Sequence, residues 1–376
     1  MLRFRTAGES HGPCLLALIE GIPYGTPVVT GPLDAELARR QGGYGRGARQ
    51  GMERDSVEIL SGVRHGLALG GPIALRVANR VRNSEELAPL TRPRPGHADL
   101  AGAVKFGTAD ARGVSERASA RETAARVAAG ALAADLLGRF GIRVLGFVVE
   151  VGGIAAAREI GDPGELERRR DASPFYSLDP EADGRIRALV DEVREAGDTV
   201  GGVFEVRAFG VPAGLGSHAT WEGRLDGALA RALMAIPSVK GVEVGLGMEA
   251  ARRRGSRFHD EILPREGGGW RRSGNNAGGI EGGMTNGEPV VLRAAVKPIP
   301  TLRRPLRTLD LRTGEPAEAA YERSDVCAVP AASVVGQAVV AFELARAFLA
   351  KFGGDTFEET RERFEAFRKR REFFGR

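Results

Sequence analysis

Hydrophobic positions along the chain change period several times, and each change predicts an element. Cys14 to Ile22 (CLLALIEGI) is an apolar run closed by the turn signal Pro23-Tyr24-Gly25, which predicts a buried strand. Leu33 to Gln41 predicts a short helix with Asp34 as its N-cap. Val57 to Gly62 and Pro72 to Asn79 predict paired strands, and Arg80 to Arg92 predicts a polar loop. From Ser119 the period becomes helical: Val127, Ala131, Leu132, Leu136 and Phe140 share one face until Gly138 and Gly141 stop the helix. Ser119-Ala120-Arg121-Glu122 has the S-x-x-E form of a capping box. Further helices are expected over Glu181 to Ala196 and over Glu358 to Arg376, the latter amphipathic with Phe364, Phe367, Phe373 and Phe374 as its packed stripe.

The pattern repeats. GPCLLALIEGIPYG from Gly12 matches GGVFEVRAFGVPAG from Gly201, and LDAELAR at Leu33 matches LDGALAR at Leu225. GLALGGPIALRVA at Gly66 matches GMTNGEPVVLRAA at Gly283, and Glu116-Arg117 before one Ala-rich helix matches Glu322-Arg323 before another. Four matches in the same order predict two related halves, about 10–141 and 199–353. A connection at 142–198 and a helical tail at 354–376 complete a single domain of 1–376. The fold class expected is α/β, with a duplicated β-α-β sandwich-type core.

Composition narrows the setting. With 42% hydrophobic and 27% charged residues, the 376-residue chain has ample core for a globular protein. No run approaches the roughly 18–20 apolar residues of a membrane span. The segment MLRFRTAGESHG lacks a signal peptide's apolar stretch, so a cytoplasmic location without membrane contact is expected. Cys14 and Cys327 have no metal or redox spacing, so reduced thiols and no metal site are expected. A net charge of +5 permits nucleic-acid binding, but acids are interspersed throughout and a small, multiply anionic ligand explains the charge equally well.

Five histidines are present, and His11 (GESHG) and His97 (RPGHAD) sit in predicted loops, each framed by glycine and an acid. A lone loop histidine is more often structural, but a pair framed this way can deliver protons near neutral pH. His65, His218 and His259 lack that frame. Arg40, Arg46 and Arg49 lie in or beside the Gly-rich stretch Gly42 to Gly51, and Arg94 precedes His97 by three residues. Guanidinium groups bind phosphate and carboxylate bidentately. Arg117 and Arg121 flank the helix start at Ser119, where free N–H groups also suit an anion. No strand-linked G-x-G-x-x-G or G-x-x-x-x-G-K-[ST] occurs. Arg323-Ser324-Asp325 precedes the second Ala-rich helix as Arg117-Ala118-Ser119 precedes the first. One site between the halves follows, with a carboxylate on one side and histidines on the other. The residues alone indicate an enzyme acting on a polyanionic metabolite by proton transfer.

Seven stretches carry a family resemblance: GESHG at Gly8, RRQGGYGRGAR at Arg39, RPRPGHADL at Arg92, ERASARETAARVAAGA at Glu116, NNAGGIEGGMTNG at Asn275, KPIPT at Lys297 and ERSDVCAVPAASVV at Glu322. In this order they resemble the chorismate synthase family. The resemblance implies 1,4-anti elimination of phosphate from 5-enolpyruvylshikimate 3-phosphate to give chorismate in the shikimate pathway. It implies a requirement for reduced FMN with no net redox change, a homotetramer, and either NADPH as a reductant used directly or an external flavin reductase. It assigns His11 to the departing phosphate, His97 to protonation of the reduced flavin near N1, and Asp325 to removal of the substrate hydrogen near N5. Arg40, Arg46, Arg49, Arg94, Arg121 and Arg323 match positions that hold substrate anions. FMN contacts fall on Ala118, Ser119, Ala120, Gly282, Lys297, Pro298, Ile299, Pro300, Thr301 and Arg323. Pro237-Ser238 stands where the family commonly has Asn-Ala, so a flavin contact there passes through a carbonyl or Ser238, because proline has no N–H. A flavin-independent phosphate lyase and an Arg/Gly-rich nucleic-acid-binding protein are the alternatives.

Overall fold

The computed structural model describes residues 1–47, 54–80, 85–265, 269–322 and 325–371. Strands Arg3–Ala7 (β1), Cys14–Glu20 (β2), Val57–Ser61 (β3) and Ile73–Ala78 (β4) form an antiparallel sheet in the order β1-β2-β4-β3. The strand β2 is not buried throughout. Leu15, Ala17 and Ile19 point inward while Leu16 and Leu18 are exposed, because an antiparallel sheet packed on one face buries alternate residues. Strands Arg143–Val151 (β5), Ile154–Ala155 (β6), Gly202–Phe209 (β7), Val239–Val244 (β8) and Val290–Val296 (β9) form a second antiparallel sheet in the order β8-β9-β7-β5-β6.

The longer helices among the described residues are Thr30–Gln41 (α1), Asp99–Phe106 (α2), Arg112–Ala118 (α3), Thr123–Gly138 (α4), Pro163–Ala172 (α5), Pro180–Glu195 (α6), Leu225–Met234 (α7), Val329–Phe352 (α8) and Phe357–Arg371 (α9). Helix α4 packs on β2 and β4, α8 packs on β5 and β7, and α4 and α8 pack on each other. The result is the expected β-α-β sandwich. The strand order β1-β2-β4-β3 with α1 and α4 has its counterpart in β5-β7-β9-β8 with α7 and α8.

Close approach of the two central helices rests on Gly130. A Cβ there would lie 2.3 Å from the Ala338 carbonyl oxygen, a separation that backbone cannot accommodate without moving. The start of α1 differs from the expected one. The helix begins at Thr30, and Asp34 lies inside it, where its carboxylate accepts the Val57 N–H and so ties α1 to β3.

Helix α8 also corrects the expectation that no apolar run reaches membrane length, since its length and composition alone would suffice. Here it is the core helix, covered by α4 and the second sheet. In α9, Phe364 packs on Phe140, Phe348 and Phe352, and Phe367 packs on Phe352. Phe373 and Phe374 lie outside the described residues.

Candidate functional site

A cavity of about 730 Å³ lies where loops and helix ends of the two halves meet. Helix α1 delivers the first cation. Leu33, Leu37 and Arg40 recur at i, i+4 and i+7 on its buried face, so the stripe that packs the helix carries Arg40 inward. Arg40 donates from Nε to Thr123 Oγ1 (2.9 Å) and from Nη2 to the Ala120 carbonyl (2.9 Å). Its Nη1 is buried with no hydrogen-bond partner among the described residues. Burial, followed by the charge of Arg46, pushes the Arg40 pKa down to about 10. Arg46 pairs through Nη1 with Asp325 Oδ2 at 2.7 Å, and its buried Nε likewise has no partner among the described residues. Asp325 also accepts the Gly47 N–H at 2.7 Å.

Both candidate histidines line this cavity. Arg94-Pro95-Gly96-His97 forms a turn closed by the His97 N–H to the Arg94 carbonyl (3.1 Å). Gly96 sits at φ 79°, so Pro95-Gly96 matches the demands of a type II turn. His97 Nδ1 lies 2.5 Å from Oδ1 of fully buried Asp99, in the first turn of α2. Burial alone would raise the Asp99 pKa, but hydrogen bonds from His97 and Arg94 hold it well below the usual carboxylate range. His11 Nδ1 lies 2.9 Å from Glu116 Oε1, and the His11 N–H donates to Glu116 Oε2 at 2.8 Å. Burial again opposes ionisation of Glu116, and the two His11 hydrogen bonds reverse that effect and lower its pKa.

Two expected anion binders also donate to protein groups. Arg94 donates to Asp99, Ser115, Thr301 and Glu322. Arg121 donates to Asn79, Asp55 and the Ala78 carbonyl. Both line the cavity, but buried guanidinium groups take the acceptors within reach when folding offers them. Arg117, expected beside an anion at the helix start, donates to the carbonyls of Thr6 and Gly8. The capping box is also altered. Ser119 accepts the Arg121 N–H at 3.3 Å and caps a 3-10 turn over Ala120–Glu122, while Glu122 is drawn to Thr6 and Arg126.

Of the other expected cofactor contacts, Ala118, Ser119, Ala120, Pro237, Ser238, Lys297, Ile299, Pro300 and Thr301 line the cavity. Pro298 and Gly282 do not line it, and Gly282 sits in the turn of a hairpin joining Ile280–Glu281 to Met284–Thr285. Arg49 and Arg323 lie outside the described residues. Ser238 adopts φ 72°, an uncommon conformation for a residue with a Cβ, and its carbonyl accepts the Lys297 N–H. Lys297 Nζ donates to the Gly96 carbonyl at 2.8 Å, joining the end of β9 to the His97 turn. Burial, then the charge of Lys240, lowers its pKa.

Residue patterns alone missed Glu116 and Glu322, which are ordinary polar residues opening motifs, and Ser115, which lies just outside one. Asp99 could have been found, because it lies two residues after the histidine it holds. The acid beside His11 in its own segment is Glu9, yet the partner is Glu116, 105 positions away.

A family profile described as chorismate synthase matches residues 2–349. A chorismate synthase of Geobacter sulfurreducens is 54% identical, over 98% of this chain and 98% of its own. One of Desulforudis audaxviator is 56% identical, over 96% of this chain and 95% of its own. A crystal structure of chorismate synthase is 44% identical with a TM-score of 0.81, covering 99% of each chain.

Proposed function

The chain belongs to the chorismate synthase family, and on that footing we propose that its central cavity binds 5-enolpyruvylshikimate 3-phosphate beside reduced FMN and releases phosphate to leave chorismate. The carrying observation is a pair of buried guanidinium nitrogens without a hydrogen-bond partner among the described residues, Arg40 Nη1, which lies 3.7 Å from Asp55 Oδ2, and Arg46 Nε, in a cavity that also holds His11 and His97. Buried orphan donors of this kind fit an anionic ligand, since leaving them unpaired costs about 1–3 kcal/mol each. A volume of about 730 Å³ is at the upper end of small-molecule sites and suits a substrate lying against a cofactor.

In this proposal Arg40 and Arg46 bind and orient the substrate's anionic groups, with burial strengthening each charge-assisted bond. His11 donates a proton to the departing phosphate, and His97 holds a proton elsewhere on the cavity lining. Asp325, oriented by Arg46 and the Gly47 N–H, takes the hydrogen that the substrate loses as a proton. Ala118–Ala120, the carbonyl of Pro237, Ser238 and Lys297–Thr301 would hold the flavin. When bound there, reduced flavin would supply the transient electron density that eases phosphate departure in an anti elimination without net redox change. The proposal extends to a cytoplasmic homotetramer whose flavin is reduced by an external reductase, with direct use of NADPH as the alternative. Anaerobic phosphate release should require reduced FMN, and equal turnover without flavin would overturn the assignment.

A further inference from the structure

His11 and His97 share a construction for which the proposed chemistry assigns no purpose: a buried carboxylate holds Nδ1 of each ring. At His97 the hydrogens can be counted. Arg94 Nη2 carries two, and Ser115 Oγ (2.6 Å) and Asp99 Oδ1 (3.0 Å) accept them. His97 Nδ1, 3.1 Å from the same Nη2, therefore receives none, and it must donate to Asp99 Oδ1, since two lone pairs 2.5 Å apart would repel. At His11 an ionised Glu116 can only accept, so Nδ1 is again the donor. The lowered pKa of each carboxyl keeps both in the accepting form at neutral pH.

We infer that Asp99 and Glu116 are positioning residues that hold His97 and His11 in the Nδ1–H tautomer, leaving Nε2 as the ring atom that exchanges protons with the bound ligand. The proton-exchange part rests on the function proposed above, whereas the tautomer assignment does not. The charged groups around His97 are Asp99, Arg94, Lys297 on the Gly96 carbonyl and Glu322 beyond Arg94. Glu116 is one charged group facing His11, and Arg112 acts on that carboxylate.

Conservative variants should invert the arrangement. Asp99 Oδ2 accepts two Arg94 donors, its N–H and Nε, so in Asp99→Asn the amide oxygen stays there and the NH₂ faces His97 Nδ1. Glu116 Oε2 accepts the His11 backbone N–H, so in Glu116→Gln the NH₂ faces His11 Nδ1.

The test uses the full chain labelled with ¹⁵N-histidine, its five histidine signals assigned by single His→Gln variants. In the unsubstituted protein the neutral rings of His11 and His97 should show a pyrrole-type Nδ1 and a pyridine-type Nε2. Asp99→Asn and Glu116→Gln should reverse this and lower kcat by about 10²–10⁴-fold, with KM changed less than about threefold. An Nε2–H tautomer at either ring of the unsubstituted protein would overturn the inference even if a variant fails to fold. A folded variant with unchanged tautomer and turnover would overturn it too. Loss of the flavin requirement would sink the proposed function and leave the tautomer assignment standing.

Discussion

Arg76 on β4 pairs with Glu58 on β3, and Arg293 on β9 pairs with Glu243 on β8, the same cross-strand ion pair at equivalent places in the two sheets. Beyond those strands the halves diverge. Glu116, just before α4, is buried and holds His11. Its counterpart Glu322, before α8, is about one-third exposed and joins Arg94 to Arg112. The first half supplies both candidate histidines, and the second supplies Lys297 and Asp325. A duplicated scaffold thus preserves the packing and frees equivalent loop positions for unlike tasks, because core positions are constrained by density and loop positions by local partners.

The largest expected effect is on the divergent side. His97→Ala, His11→Ala and Asp325→Ala should each lower kcat by about 10²–10⁴-fold with little change in KM, measured as anaerobic phosphate release. Equal losses in both parameters would mean that the loops serve binding alone. Arg46→Ala should raise KM by roughly 10- to 100-fold, the worth of one or two charge-assisted hydrogen bonds, and an unchanged KM would remove Arg46 from the anion site.

On the shared side, Gly130→Ala should destabilise the fold by about 1–3 kcal/mol in chemical denaturation, since the added methyl would meet the Ala338 carbonyl at 2.3 Å. An unaltered midpoint would show that the two central helices are not tightly constrained there.

Acid should probe Asp99. Its pKa is lowered by folding, so its stabilising contribution is complete above the unfolded value near 3.9 and is lost as pH falls toward its folded value. Asp99→Asn should flatten that part of the acid-unfolding curve, and an unchanged slope would deny the ionised pairing. The smallest effect compares the repeated ion pairs. Arg293, the more buried of the two arginines, should lose on the order of 0.5–1 kcal/mol on substitution by alanine, and Arg76→Ala should lose less. The reverse order would mean that exposure does not set the difference.

Much of the scaffold was legible in the chain. The apolar periods placed β2, α1, α4 and α6 within a few residues, because each must present a face to a common core. Family motifs singled out His11, His97 and Asp325, which line one cavity. The roles of the arginines were less legible. Arg40 and Arg94 look alike in sequence, yet one keeps a buried nitrogen without a hydrogen bond among the described residues and the other spends its nitrogens on Asp99, Ser115, Thr301 and Glu322. The S-x-x-E signal at Ser119 was likewise overridden when Thr6 and Arg126 took Glu122.

By itself the sequence determined the periodicity, the repeat and the residue types needed for anion binding and proton transfer, all of which are patterns of residue type along the chain. Tertiary structure alone decided which carboxylate holds which histidine, since His11 and Glu116 meet across 105 positions. It also decided which buried arginines still have a hydrogen to offer. That is settled by every acceptor within about 3 Å, and those acceptors come from segments that meet only when the two halves close on each other.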